Sequence, residues 1–163
     1  LRPDLVESWC VTNAVIDSKY SGHRMARMWA TPLIGELVMT GMRDSQKLEA
    51  ALFEGGMPAD MAAHEAPLVD RTMRQSILKL YRSARGLRIS GDWEDDLANL
   101  PAKGQLYWGQ DDPFVDVSVA QRFAERWQYP LHVEPDAGHW ACAEHPGSFA
   151  LVLKEFWATK RMM

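Results

Sequence analysis

Two kinds of hydrophobic pattern divide the chain. Val6–Val15 (VESWCVTNAV) is mostly apolar, with β-branched and aromatic side chains, and follows the breakers Pro3 and Asp4. Near-continuous apolarity over so short a run predicts a strand buried on both faces, as in a parallel sheet. Gly104–Trp108 (GQLYW), after Pro101, and Leu131–Val133, after Pro130, predict two further strands. Between them, Val119, Ala120, Phe123, Ala124 and Trp127 recur at helical period over residues 117–127. A last helix is predicted over Ser148–Thr159, opened by Pro146, with Phe149, Val152, Leu153, Phe156 and Trp157 facing inward.

Residues 18–95 carry the other pattern and no strand signal. His23–Met39 is rich in Met, Trp and Leu, and Pro32 divides it into two short helical pieces. Asp44 or Ser45 caps a helix reaching about Phe53, and Gly55-Gly56 stops it. Pro58 begins another short piece. Leu68–Ser83 places Leu68, Val69, Met73, Ile77, Leu78, Leu80 and Tyr81 on one helical face. The order is strand, helical insertion, strand, helix, strand, helix. Such alternation predicts an α/β fold with a parallel sheet. Residues 1–17 and 96–163 form its core and residues 18–95 the helical insertion.

Composition narrows the function. The chain has 163 residues, 47% hydrophobic and 25% charged, which suits a globular fold. With 18 Lys+Arg against 22 Asp+Glu and no basic stripe, nucleic acid is excluded as a partner. Lys160-Arg161 is expected to be a frayed end. No apolar run approaches the roughly 20 residues that span a membrane. The start, Leu1-Arg2-Pro3-Asp4, lacks a signal-peptide pattern, and a cytoplasmic location is the default expectation. Without an initiator Met, the natural N-terminus is expected upstream. Cys10 and Cys142 have neither metal-ligand spacing nor a disulfide framework and are expected to be buried reduced thiols. No zinc spacing occurs among the histidines and cysteines, so no metal and no organic cofactor is expected.

In open parallel sheets, catalytic groups gather at the carboxyl ends of the strands. Asp112 follows the strand 104–108 and His139 follows the strand 131–133, each after a short loop. A carboxylate beside an imidazole fixes its tautomer and stabilises the imidazolium formed in proton transfer. Asp111 is the rival for the acid role. His23, His64, His132 and His145 are expected to be surface or structural residues. Trp140 is either a pocket wall or core. Met25, Met28, Met39 and Met42 would line an apolar substrate tunnel or fill a helical core. Cys142, three residues past His139, suggests a thiol nucleophile.

Trp108-Gly109-Gln110-Asp111-Asp112-Pro113-Phe114-Val115 resembles the acid loop of α/β-hydrolases, and Asp136-Ala137-Gly138-His139-Trp140 resembles their histidine loop. The separation, 139 − 112 = 27 residues, leaves room for one helix and one strand. Only this resemblance, through Asp112-Pro113, favours Asp112 over Asp111 as the acid. The family's chain order is nucleophile, acid, histidine, which implies a nucleophile on another strand instead of Cys142. The resemblance covers the whole chain: Val6–Val15 resembles the sixth strand, residues 18–95 the helical lid, and the rest strands seven and eight. It implies an α/β fold that is the C-terminal part of an α/β-hydrolase parallel sheet with a helical cap insertion. Met28–Glu36 is similar to lids of the epoxide-hydrolase and haloalkane-dehalogenase branch.

The resemblance implies Asp112 and His139 as catalytic residues, with Trp29, Met39 and Trp140 contacting a small apolar substrate. One departure matters: no Gly-x-Ser-x-Gly, or Asp or Cys equivalent, occurs in these residues. The family carries it before the sixth strand. The expectation is therefore a hydrolase half acting on an ester, epoxide or carbon–halogen bond when joined to its N-terminal half, and inactive alone. That half would be a separate or missing segment; a second copy of this chain is the other way to cover the sheet edge. The alternative is a non-catalytic binding or interaction module.

Overall fold

A computed structural model describes residues 3–84, 93–101 and 103–158. The chain divides into two units: Leu1–Tyr20 with Gly91–Met163, and Ser21–Ser90. The sequence expectation set these boundaries at 17/18 and 95/96.

The first unit is built on three parallel strands, β1 (Trp9–Thr12), β2 (Gly104–Gly109) and β3 (Leu131–Glu134), in the order β1-β2-β3. Trp9 pairs with Gly104, and Leu106 with Leu131. Every residue of β2 is buried, as its central place requires. Side chains alternate across the sheet. Leu106 and Trp108 join Val115, Val119, Ala120 and Phe123 on one face; Tyr107 joins Ala137 and Ala141 on the other. Burying each large side chain contributes roughly 1.5–3 kcal/mol. Gly104 has no room for a side chain, because a Cβ there would lie 2.0 Å from the Trp9 indole.

The first strand is shorter and less buried than its sequence predicts. A 3-10 turn occupies Pro3–Leu5, and all four residues of β1 are half-buried. Asn13 ends the strand by turning to φ +46. Among the described residues β1 pairs only with β2, which explains its partial exposure.

The second unit contains the helices α1 (Arg24–Ala30), α2 (Ile34–Gly41), α3 (Ser45–Glu54), α4 (Ala59–Glu65) and α5 (Arg71–Ser83). Pro32 lies in the break between α1 and α2. Asp44 caps α3, accepting from Gln46 and Lys47 backbone N–H groups, and Asp70 caps α5, accepting from Met73 N–H. The cap at Asp70 excludes Leu68 and Val69 from α5, where the apolar pattern alone would include them. Met39, Leu48, Met57, Ala62, Ala66 and Leu78 are buried here. Glu36 and Arg82 join α2 to α5 through two hydrogen bonds of 2.7 and 2.8 Å. That pairing holds the exposed Glu36 carboxyl at about 2.

In the first unit, α6 (Trp93–Asp96) precedes β2, α7 (Ser118–Trp127) joins β2 to β3, and α8 (Ala141–Glu144) and α9 (Pro146–Ala158) follow β3. Sequence pattern missed α8, only four residues long, while α6 falls at the end of the stretch 18–95 expected to be helical but belongs to the sheet unit. In α9, Phe149, Val152, Leu153 and Phe156 are half-buried, but Trp157 is 57% exposed. At about 100° per residue, Trp157 falls at the edge of that apolar face rather than its centre. The expected helix end at Thr159 and the frayed Lys160-Arg161 lie outside the described residues. Among the described residues no helix is long and apolar enough to cross a membrane.

Candidate active site

The carboxyl ends of β2 and β3 are joined by their own backbones. Gln110 N–H donates to Glu134 C=O at 3.0 Å, and Asp111 N–H to Ala137 C=O at 2.9 Å. Gly109 makes this approach possible. A Cβ at 109 would sit 2.1 Å from the Gly138 carbonyl oxygen and 2.5 Å from that of Ala137. Asp136, at φ +56, turns the chain after β3 into the second loop.

Asp112 is 6% exposed and makes its loop a closed turn. Its Oδ1 accepts from the N–H groups of Phe114 at 2.7 Å and Val115 at 2.9 Å. The Val115 carbonyl in turn accepts from the Trp108 indole at 2.9 Å, which anchors the loop to β2. Oδ2 of Asp112 lies 2.9 Å from Nδ1 of His139. Burial pushes the Asp112 carboxyl up, but hydrogen bonds from His139, Asn13, Val115 and Phe114 outweigh it and leave it below its ordinary value. Asp111, one residue earlier, is exposed and spends its N–H on Ala137.

The His139 loop is held from beneath. Glu144, on α8, accepts from Gly138 N–H at 3.1 and 2.9 Å and from Trp140 N–H at 3.1 Å. The rings of Phe114 and Trp140 stand edge-on to the imidazole, at 5.0 and 5.2 Å between centroids. His139 therefore sits in an aromatic frame, with Nδ1 facing a buried carboxylate. A neutral imidazole holding its proton on Nδ1 leaves Nε2 as a base.

Of the five residues singled out by sequence, Asp112, His139 and Trp140 come together here. Trp29 lies on α1 of the helical unit, packed on Tyr81 at 4.9 Å between ring centroids. Met39 lies on α2, 5% exposed, lining a cavity of about 500 Å³ together with Arg43, Arg71 and Arg74. Among the other histidines, His23 caps α1 and His132 stacks on Tyr107. Cys10 and Cys142 are free and half-buried, and burial raises the Cys10 thiol. Among the described residues no group of three or more His, Cys, Asp or Glu side chains is placed to hold a metal. Sequence reasoning missed Asn13, which donates to Asp112 Oδ2 at 2.8 Å and to Gly138 C=O at 3.2 Å. Its one signal was an Asn inside the apolar run Val6–Val15, a residue type that enters the left-handed region more readily than most.

Solved structures with this architecture share its layout. A meta-cleavage product hydrolase from Pseudomonas fluorescens superposes with a TM-score of 0.64 at 18% identity, over 91% of this chain and 54% of that one. MGS-M2, an alpha/beta hydrolase enzyme from a deep-sea metagenome library, gives a TM-score of 0.66 at 17% identity, over 99% of this chain and 60% of that one. The chain has an α/β-hydrolase fold. The match extends through nearly the whole chain, which has the C-terminal part of that fold. In sequence, a 2-hydroxy-6-oxononadienedioate/2-hydroxy-6-oxononatrienedioate hydrolase from Burkholderia vietnamiensis is 37% identical over 68 residues, 40% of this chain and 23% of that protein. No family model matches. The chain spans about half the length of these α/β-hydrolase structures, and its match to the curated relative covers less than a quarter of that protein.

Proposed function

We propose that this chain supplies the acid and the histidine of a hydrolase triad, with Asp112 orienting His139 and His139 acting as general base. The observation that carries the reading is the 2.9 Å contact between Oδ2 of buried Asp112 and Nδ1 of His139. A nucleophile on a segment outside these residues would be deprotonated by Nε2, and the same nitrogen would return the proton to the leaving group. The Burkholderia vietnamiensis relative is named for oxo acids. This favours attack on a carbonyl carbon over the opening of an epoxide or carbon–halogen bond. Trp140, beside the imidazole, is a proposed substrate contact, and so are Trp29 and Met39 of the helical unit.

Among the described residues β1 has a strand on one edge only, which fits the same reading. The uncovered edge of a strand presents N–H and C=O groups that another strand can satisfy. Its proposed occupant is the N-terminal half of an α/β-hydrolase, carrying the first five strands and the nucleophile. By itself the chain is expected to lack triad-based hydrolysis.

The test is co-expression with such a half, bearing a Ser elbow, and assay with a 4-nitrophenyl ester. Hydrolysis that needs both pieces and disappears in His139→Ala supports the proposal. Hydrolysis by the chain alone that depends on His139 would contradict it, as would co-expressed activity indifferent to His139.

A further inference from the structure

Asn13 stands where three segments meet: it follows β1, touches the acid loop after β2, and touches the histidine loop after β3. It is 7% exposed, and its backbone holds φ +46, which Asn adopts more readily than most residues. The orientation of its carboxamide is set by a neighbour. Thr12 donates its hydroxyl to Asn13 Oδ1 at 2.9 Å, so that oxygen faces Thr12 and Nδ2 faces the site. From there Nδ2 donates to Asp112 Oδ2 at 2.8 Å and to the carbonyl of Gly138 at 3.2 Å.

The geometry of the pair does not need Asn13 to close it. Asp112 is already fixed by Phe114 and Val115 N–H groups, and the histidine loop by Glu144 and by the bond from Asp111 N–H to Ala137 C=O. What Asn13 alone does is share Oδ2, the oxygen that also meets His139 Nδ1. We infer that Asn13 is a positioning residue for the Asp112–His139 pair: its carboxamide fills one acceptor site of Oδ2, leaving a single direction for Nδ1–H, and its dipole moderates the charge that the carboxylate presents to the ring. The inference rests on the triad reading above and adds a member to the site that touches no reacting atom. A hydrogen bond to a shared oxygen is weaker and longer than one to an unshared oxygen, because both donors draw on the same charge.

The experiment is NMR of the full chain with ¹⁵N-labelled histidine, reading the Nδ1–H proton of His139. Asn13→Gly removes the carboxamide while keeping a residue that accepts positive φ. Thr12→Val leaves Asn13 in place but releases its orientation, and serves if the glycine variant does not fold. The expected result is a downfield move of the Nδ1–H proton in Asn13→Gly, and a smaller move in the same direction in Thr12→Val. An unchanged resonance in both variants, or its loss from a folded one, overturns the inference. Asp112→Asn separates the two levels. Should it shift or abolish a resonance that Asn13→Gly leaves alone, only the role of Asn13 fails; a wild-type ring proton indifferent to Asp112 removes the triad reading as well.

Discussion

The sheet unit and the helical unit bury different kinds of side chain. In the sheet unit the largest fully buried side chains, Leu106, Tyr107 and Trp108, come consecutively from one strand, and each is 0% exposed. In the helical unit the buried set is Ala26, Met39, Leu48, Met57, Ala62, Ala66 and Leu78, while Leu33, Leu37, Phe53, Leu68 and Leu80 are more than half exposed. Large, stiff rings locked on both faces of a strand leave few alternative packings. Alanine and unbranched methionine leave many. The residues that must be held to a fraction of an ångström, Asp112 and His139, hang from the first kind of interior.

Breaking the stiffer interior should have the largest effect. Trp108→Ala removes a fully buried ring and the indole N–H that holds Val115, and should destabilise the sheet unit by about 3–5 kcal/mol in urea unfolding. Leu78→Ala, in the helical unit, should have a smaller effect, about 2–3 kcal/mol, since neighbouring methionine can close part of the cavity. Equal losses would show that the two interiors are equally well packed.

Gly109→Ala acts more locally. Its new methyl would meet backbone oxygens, which cannot move aside as a side chain can. Overpacking of this kind destabilises by about 1–3 kcal/mol and should separate the acid loop from the histidine loop. A crystal structure of the variant checks it: an unchanged distance between Asp112 and His139 would show that Gly109 does not set the approach.

Acid should distinguish the units next. The Asp112 carboxyl is held below its ordinary value of 3.8, so it contributes stability above that pH and loses it as pH falls through the lower folded value. The stability difference between wild type and Asp112→Asn should therefore shrink below about pH 4. A difference independent of pH would mean that the carboxylate charge is not what matters. The smallest effect belongs to Glu36→Gln: Glu36 and Arg82 are exposed enough that solvent screens their attraction, and stability should barely change.

Much of this was readable from the chain, for specific physical reasons. Pro32, Asp44, Gly55 and Pro58 mark helix ends through backbone chemistry that acts locally, and the helices begin and stop beside them. The loops holding Asp112 and His139 could be placed because each follows an apolar run and a turn residue. The bounds of β1 could not, since apolarity does not reveal the left-handed turn at Asn13. Nor could the roles of Asn13 and Glu144, whose hydrogen bonds reach other segments. Trp157 was placed inward because a helical stripe has no sharp edge in sequence.

The most direct test of the pairing is the protonation of the neutral imidazole, read from ¹⁵N–¹H correlations of the His139 ring. The expected spectrum shows the proton on Nδ1 and a bare Nε2, with that preference lost in Asp112→Asn. A neutral ring carrying its proton on Nε2 in the wild-type chain would contradict the pairing of Asp112 with His139.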